Sequence, residues 1–305
     1  LVSELLALGI HLIPLLQRTE SFMLELVKKN GLALQYASED LKNKQPIVLA
    51  AVNQNGMALQ HASEDLKKNK KIVLAAVTQN GMALGFALNC DNYINIVRVA
   101  VENNGLALKF AYYGSLTDNP KIVLAAVQNN GMALQYAYKG NRSHITNDRE
   151  IARSAVQNNG LALQFASEFL KDVDIIKQAI KQNPDAIQFI VRLAYQSEEV
   201  KKDREIVLAA VTRYGIDLEH VPPFNSDQGI VLAAVKENGL ALHFANQALK
   251  VDLEIVAEAI TQIPLAIIFA DTSLKSRFLN SRLPKIRSPG FPVLQKLTDA
   301  INNLG

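Results

Sequence analysis

The stretch Ile47-Val48-Leu49-Ala50-Ala51-Val52-Asn53-Gln54-Asn55-Gly56-Met57-Ala58-Leu59-Gln60 decides the fold, because it does not occur once. It returns nearly verbatim at 72–84, 122–135 and 230–242, with looser copies between. Counted from the small residue after the Asn, the copies have origins at Gly31, Gly56, Gly81, Gly105, Gly131, Gly160, Pro184, Gly215, Gly239 and Pro264. Successive origins lie 24 to 31 residues apart, and most lie 24 to 26 apart. A phrase repeated at such a period marks stacked supersecondary units, not one active site.

Within a unit, positions −9, −8, −5 and −4 are apolar, as in Ile47, Val48, Ala51 and Val52. That spacing traces one stripe of an α-helix of about ten residues. Positions −7 and −6 accept Arg98, Arg153, Lys177, Gln178 and Glu258, so they face away from the core or sit at its edge. After the origin come Leu or Met at +1, Ala at +2, Leu or Ile at +3, a ring at +5 and Ala at +6, with Leu at +10 in several units. This predicts a second amphipathic helix of about three turns, antiparallel to the first. The fold class is therefore all-α: an α-solenoid of about ten tandem αα-hairpin repeats of about 25 residues. The array spans 20–272, preceded by a capping helix or degenerate half-repeat at 1–19 and followed by a basic cap or linker at 273–305.

The residue before the origin is Asn in eight units: Asn30, Asn55, Asn80, Asn104, Asn130, Asn159, Asn183 and Asn238. Gly at the origin would suit a left-handed helix end, but Pro184 and Pro264 cannot take positive φ. Pro is favoured at the first position of a helix. The origin therefore opens the second helix, with Asn as its N-cap accepting from N–H groups two or three residues on. A left-handed Asn would also end the first helix.

The chain has 305 residues, is 49% hydrophobic and carries a formal charge of +3. The basic residues Lys275, Arg277, Arg282, Lys285, Arg287 and Lys296 face only Asp299 in 273–305, so the rest of the chain is slightly acidic. A single Cys, Cys90, excludes an intrachain disulfide framework and favours a reducing compartment. Residues 1–17 are apolar but interrupted by Glu4, His11 and Pro14, which is a poor membrane span. The start at Leu1 points to a fragment of a longer protein. No HExxH helix, Walker loop, GxSxG elbow or Cys pair is present, so the chain is expected not to be an enzyme and to need no cofactor or metal. His61 and His220 fall in the ring column and are expected in the core, His243 at the surface, and His144 in an inserted loop.

Two columns of amides remain. Position −2 is largely Gln or Asn, as in Gln54, Gln79, Asn103, Asn129 and Asn158. Position +4 holds Gln35, Gln60, Lys109, Gln135, Gln164, Gln188, Glu219 and His243. Stacked amides offer donors and acceptors to an extended peptide backbone, or else simply pair between units. The +4 column is the candidate partner-binding ladder.

The phrase IVLAAVxQNGxALQYAS resembles the helical repeat of domain of unknown function 4116, which is found in proteins of amoeba-dwelling intracellular bacteria and large viruses. The resemblance is close at the Gly-origin units and looser at Pro184 and Pro264. It implies a secreted bacterial effector and brings no catalytic residue with it. The expected function is a non-catalytic protein- or peptide-binding scaffold with a host-derived partner. It would act as a monomer in the cytoplasm, or in a host cell after secretion. A nucleic-acid-binding repeat is disfavoured by the acidic array, and a targeting arm for a catalytic domain elsewhere is the other alternative. The stretch 273–305 is suited to anionic membrane contact.

Overall fold

A computed structural model describes residues 19–88, 93–111, 113–137, 148–194 and 197–275. The capping segment and nearly all of the basic C-terminal stretch lie outside these, as do Cys90 and His144. The described residues contain helices and no strand. Two compact segments, 1–169 and 170–305, divide the chain.

Each unit begins with the expected first helix. In the first segment these are α1 (Glu20–Lys29), α2 (Gln45–Gln54), α3 (Lys70–Gln79), α4 (Tyr93–Asn103), α5 (Pro120–Asn129) and α6 (Arg149–Asn158). In the second they are α7 (Val173–Gln182), α8 (Arg204–Arg213), α9 (Gln228–Glu237) and α10 (Leu253–Gln262). Ile47, Val48, Ala51 and Val52 of α2 are fully buried, while Leu49 and Ala50 are half-buried and Arg98 and Arg153 are exposed. Consecutive first helices pack side by side within each segment, and the elements that follow them form a second layer.

That second element differs from the expectation. It is a six-residue 3-10 helix, such as Gly31–Tyr36 or Gly56–His61, not three turns of α-helix. Ala at +6 is extended in several units, as at Ala62 (φ −69°, ψ 158°), and breaks the helix. Leu41 and Leu66 then lie buried on separate four-residue helices, Glu39–Lys42 and Glu64–Lys67. The physical reason is visible in burial. Positions +2, +3 and +6 are buried, as is the origin wherever it is Gly, whereas +1 and +4 form an outer ridge. A three-residue period eclipses i and i+3, which puts 0, +3 and +6 on one side and +1 and +4 on another. Among the described residues, only the unit at Pro184 continues into a longer α-helix, Ile187–Ala194.

The Asn joint forms as expected, with one correction. All eight Asn side chains accept from the N–H two residues on, for example Leu32 N–H to Asn30 at 3.1 Å and Met57 N–H to Asn55 at 3.0 Å. The Asn backbone is extended, not left-handed: Asn55 has φ −149° and ψ 110°. Its N–H still completes the last turn of the first helix, with Asn55 N–H donating to the Ala51 carbonyl at 2.8 Å. One extended residue thus closes one helix by its backbone and opens the next by its side chain, so no left-handed residue is needed. Tyr214 and Ile263 make no side-chain cap.

Gly at the origin answers a different demand. A Cβ on Gly31, Gly56, Gly81, Gly105 or Gly131 would come closer than 3.0 Å to the backbone oxygen of the −5 Ala in the next unit. Contact between units, not a special backbone angle, selects Gly there. Gly56→Ala is therefore expected to destabilise by about 1–3 kcal/mol through overpacking, and Asn55→Ala by about 1 kcal/mol through loss of the cap. Asn55→Asp, which keeps the acceptor, should change stability little. Urea unfolding gives the totals, and amide exchange at Met57 distinguishes the cap from the packing effect.

Candidate functional site

Five −2 amides of the first segment are committed to joints between units. The side-chain oxygens of Gln54, Asn103, Asn129 and Asn158 accept from the N–H of the preceding origin Gly31, Gly81, Gly105 and Gly131, at 2.6 to 2.7 Å. Gln79 does the same for Gly56. The amide nitrogens of Asn103, Asn129 and Asn158 donate back to the Thr78, Glu102 and Gln128 carbonyls at 2.9 to 3.0 Å. Each such side chain clamps two backbone groups of the unit before it. The exception supports the rule: Pro184 has no N–H to offer, and the −2 residue of the following unit is Arg213, which has no acceptor. Arg213 instead pairs with the carboxylate of Asp185. Glu237 takes the amide's place over Gly215.

The +4 column stays at the surface. Gln35, Gln164, Gln188, Glu219 and His243 are exposed, and Gln60, Lys109 and Gln135 are half-buried. Gln135 and Gln164 donate to the carbonyls of Met132 and Leu161, three residues back, at 3.0 Å each. The +5 rings, expected in the core, are mostly half-buried beside this ridge, and Tyr36 is 41% exposed. The two columns interleave. A Cβ on Gly85 at +4 would strike the ring of Phe110, the +5 residue of the next unit. His243 lies 4.9 Å from Phe244 and 4.6 Å from Phe269, the ring of the next unit. The Lys109 ammonium lies 4.6 Å from the Phe110 ring centre.

Two further columns belong to this face and escaped the sequence reading. Leu or Met at +1 is half-buried in most units, because a 3-10 helix brings it level with +4. Lys at +11 reaches back to the end of the 3-10 helix: the Lys250 ammonium donates to the His243 carbonyl at 2.7 Å. Lys42 and Lys67 both lie near His61, where burial and then these two cations hold the imidazole below its usual pKa. The recurring Lys at +11 was visible in the sequence, but its return to the ridge depends on the helix break at +6.

No group of three or more metal-ligating side chains occurs among the described residues, and no described helix is long and apolar enough to cross a membrane. One polar group stands out. Asp217 occupies +2, where the other units have Ala, and is only 8% exposed. Its Oδ2 has no hydrogen-bond partner. Burial raises its pKa, nearby His220 opposes the rise, and Glu237 adds to it.

A folded-state carboxyl pKa above the unfolded value stabilises the fold below the unfolded pKa, and that contribution is lost as pH rises through the folded pKa. Asp217→Ala should therefore stabilise by about 1–3 kcal/mol at neutral pH. The gain should shrink toward zero near about pH 3.5, measured by melting variant and parent at both pH values. At the clamp, Asn129→Ala should destabilise by about 1–3 kcal/mol and speed amide exchange at Gly105.

The family model described as a domain of unknown function, DUF4116, matches residues 19–56, 45–89, 93–140, 148–190 and 227–275. Its matches include the Pro184 and Pro264 units, which were expected to fit more loosely. They leave out the Gly215 unit, expected to fit well, which carries Tyr214 for the joint Asn and Asp217 for Ala. No curated protein and no solved structure matches the chain. With more than half of its length matched and the repeat traced residue by residue, the chain belongs to the DUF4116 family of tandem helical repeats.

Proposed function

We propose that the chain is a non-catalytic scaffold that binds an extended protein segment along its 3-10 layer. The observation that carries this reading is the different fate of two amide columns. In the first segment five −2 amides are used up in joints between units, while the +4 side chains stay at the surface among half-buried rings and Leu or Met. Side-chain amides complement the N–H and C=O groups of an extended peptide, and rings and Met add apolar contact beside them. A stack of like units suits a long ligand better than a small molecule. In this reading the partner is a host protein and the chain acts inside the host cell as an effector.

Selection of binders from a random peptide library on the full chain tests the proposal, followed by calorimetry on a Gln35→Ala, Gln60→Ala, Gln135→Ala, Gln164→Ala variant. Selected peptides should lose at least about tenfold in affinity on that variant, with its melting temperature nearly unchanged. A selection that yields no peptide, or peptides indifferent to the four substitutions, removes the proposal. Salt-sensitive retention of RNA in its place would favour a nucleic-acid repeat.

A further inference from the structure

We infer that Asn238 is a site of spontaneous covalent modification, where the side chain loses ammonia to the Gly239 nitrogen and water opens the resulting imide to aspartate or isoaspartate. This chemistry needs no ligand on the 3-10 face.

The chain carries seven Asn-Gly pairs, each at a joint. In such a pair the Gly nitrogen gives up its proton and attacks the Asn Cγ. The N–Cγ bond forms, the Cγ–Nδ2 bond breaks, and the amide nitrogen leaves as ammonia with that proton. Gly has no side chain to hinder the approach. One water then opens the imide ring at either of its two carbonyls, giving aspartate or isoaspartate. All seven pairs have this reactivity by sequence, so the joint decides which of them reacts.

Three features restrain the reaction at a joint. The Asn backbone is extended, with ψ 108° at Asn238 and 110° at Asn55, and it must turn before the Gly nitrogen can meet Cγ. The Asn side-chain oxygen is held by the N–H two residues on, at 3.0 Å from Leu240 to Asn238. The Gly N–H is held by the −2 side chain of the next unit. Gly31, Gly56, Gly81, Gly105 and Gly131 all have that third restraint. The Gly239 N–H has no acceptor among the described residues, although the Ala259 carbonyl crowds this Gly as its counterparts crowd the others.

The cause lies one turn back in α10. Position −6 is Ala50, Ala75, Val99, Ala125 or Ser154 in the five units that supply the clamps, and Glu258 in this one. The Gln262 amide nitrogen faces the Glu258 carboxylate at 3.5 Å, so this amide lies along its own helix and not across to Gly239. With one hydrogen bond fewer to break, the Gly239 joint opens roughly fivefold more often than a clamped one. Aspartate at 238 keeps the cap oxygen, whereas isoaspartate adds a carbon to the backbone between α9 and its 3-10 helix. Either product puts a carboxylate next to Glu237, which holds the Gly215 N–H. One reaction thus reaches two joints.

The full chain, held at mildly alkaline pH and digested at intervals, tests this by mass spectrometry of aspartate and isoaspartate at each Asn-Gly pair. Asn238 should convert at least about threefold faster than Asn30, Asn55, Asn80, Asn104 or Asn130, although Asn30 is the more exposed. In denaturant that lead should vanish. Glu258→Ala should slow Asn238 into the range of the clamped joints. Gln79→Ala, which unclamps Gly56, should speed Asn55 at least about threefold. Amide exchange, which needs no variant, should be faster at Gly239 than at Gly56 and Gly105. Asn30 converting ahead of Asn238, equal conversion at all joints of the folded chain, a lead that persists in denaturant, a Gly239 amide as slow as the others, or indifference to both substitutions overturns the inference.

Discussion

Within each segment, the approach of a first helix onto the origin Gly of the unit before it is the constraint on which the rest depends. The −5 carbonyl of one unit comes so near the preceding Gly that a Cβ would not fit. At that distance the Gly N–H is cut off from water and needs an acceptor within the protein. The −2 amide supplies it and, in three units, uses its own N–H₂ on the carbonyl at −3. Close packing and hydrogen-bond satisfaction are thus one requirement met by one pair of residues, Gly at the origin and Asn or Gln at −2 of the next unit.

The 3-10 helix follows from the same joint. Asn at −1 is spent in an extended conformation, and the short run after it has room for only two turns before Ala at +6 extends. A period of three then leaves +1 and +4 on the outer edge in register from unit to unit. An α-helix in the same place would rotate these positions apart and would not return Lys42, Lys67 or Lys250 to the ridge. The surface that is free to meet a partner is a by-product of how the units are joined.

The Gly215 unit shows what happens when several columns change together. Tyr214 removes the cap, Asp217 puts a carboxyl where Ala packs, and Glu237 replaces the amide in the clamp. Burial, with Glu237 nearby, opposes the charged form of Asp217, whose Oδ2 has no partner. The family's sequence pattern ends before this unit and resumes after it, although its helix and 3-10 turn persist. Backbone geometry tolerates the changes because Ile206, Val207, Ala210 and Val211 still fill the apolar positions of α8.

The sequence by itself determined the repeat, the ten first helices and the Asn caps, because each depends on residues close in the chain. Pro184 and Pro264 alone placed the origin inside the second helix. It also held, unread, the pairing of Pro184 with Arg213 that marks the −2 column as structural. The tertiary structure alone decided that Gly is required by the next unit's carbonyl and that the −2 and +4 amides part company. It also turned the second helix into a 3-10 turn. An apolar pattern of six or seven residues fits a period of 3.0 nearly as well as 3.6, so only packing against the neighbouring units selects between them.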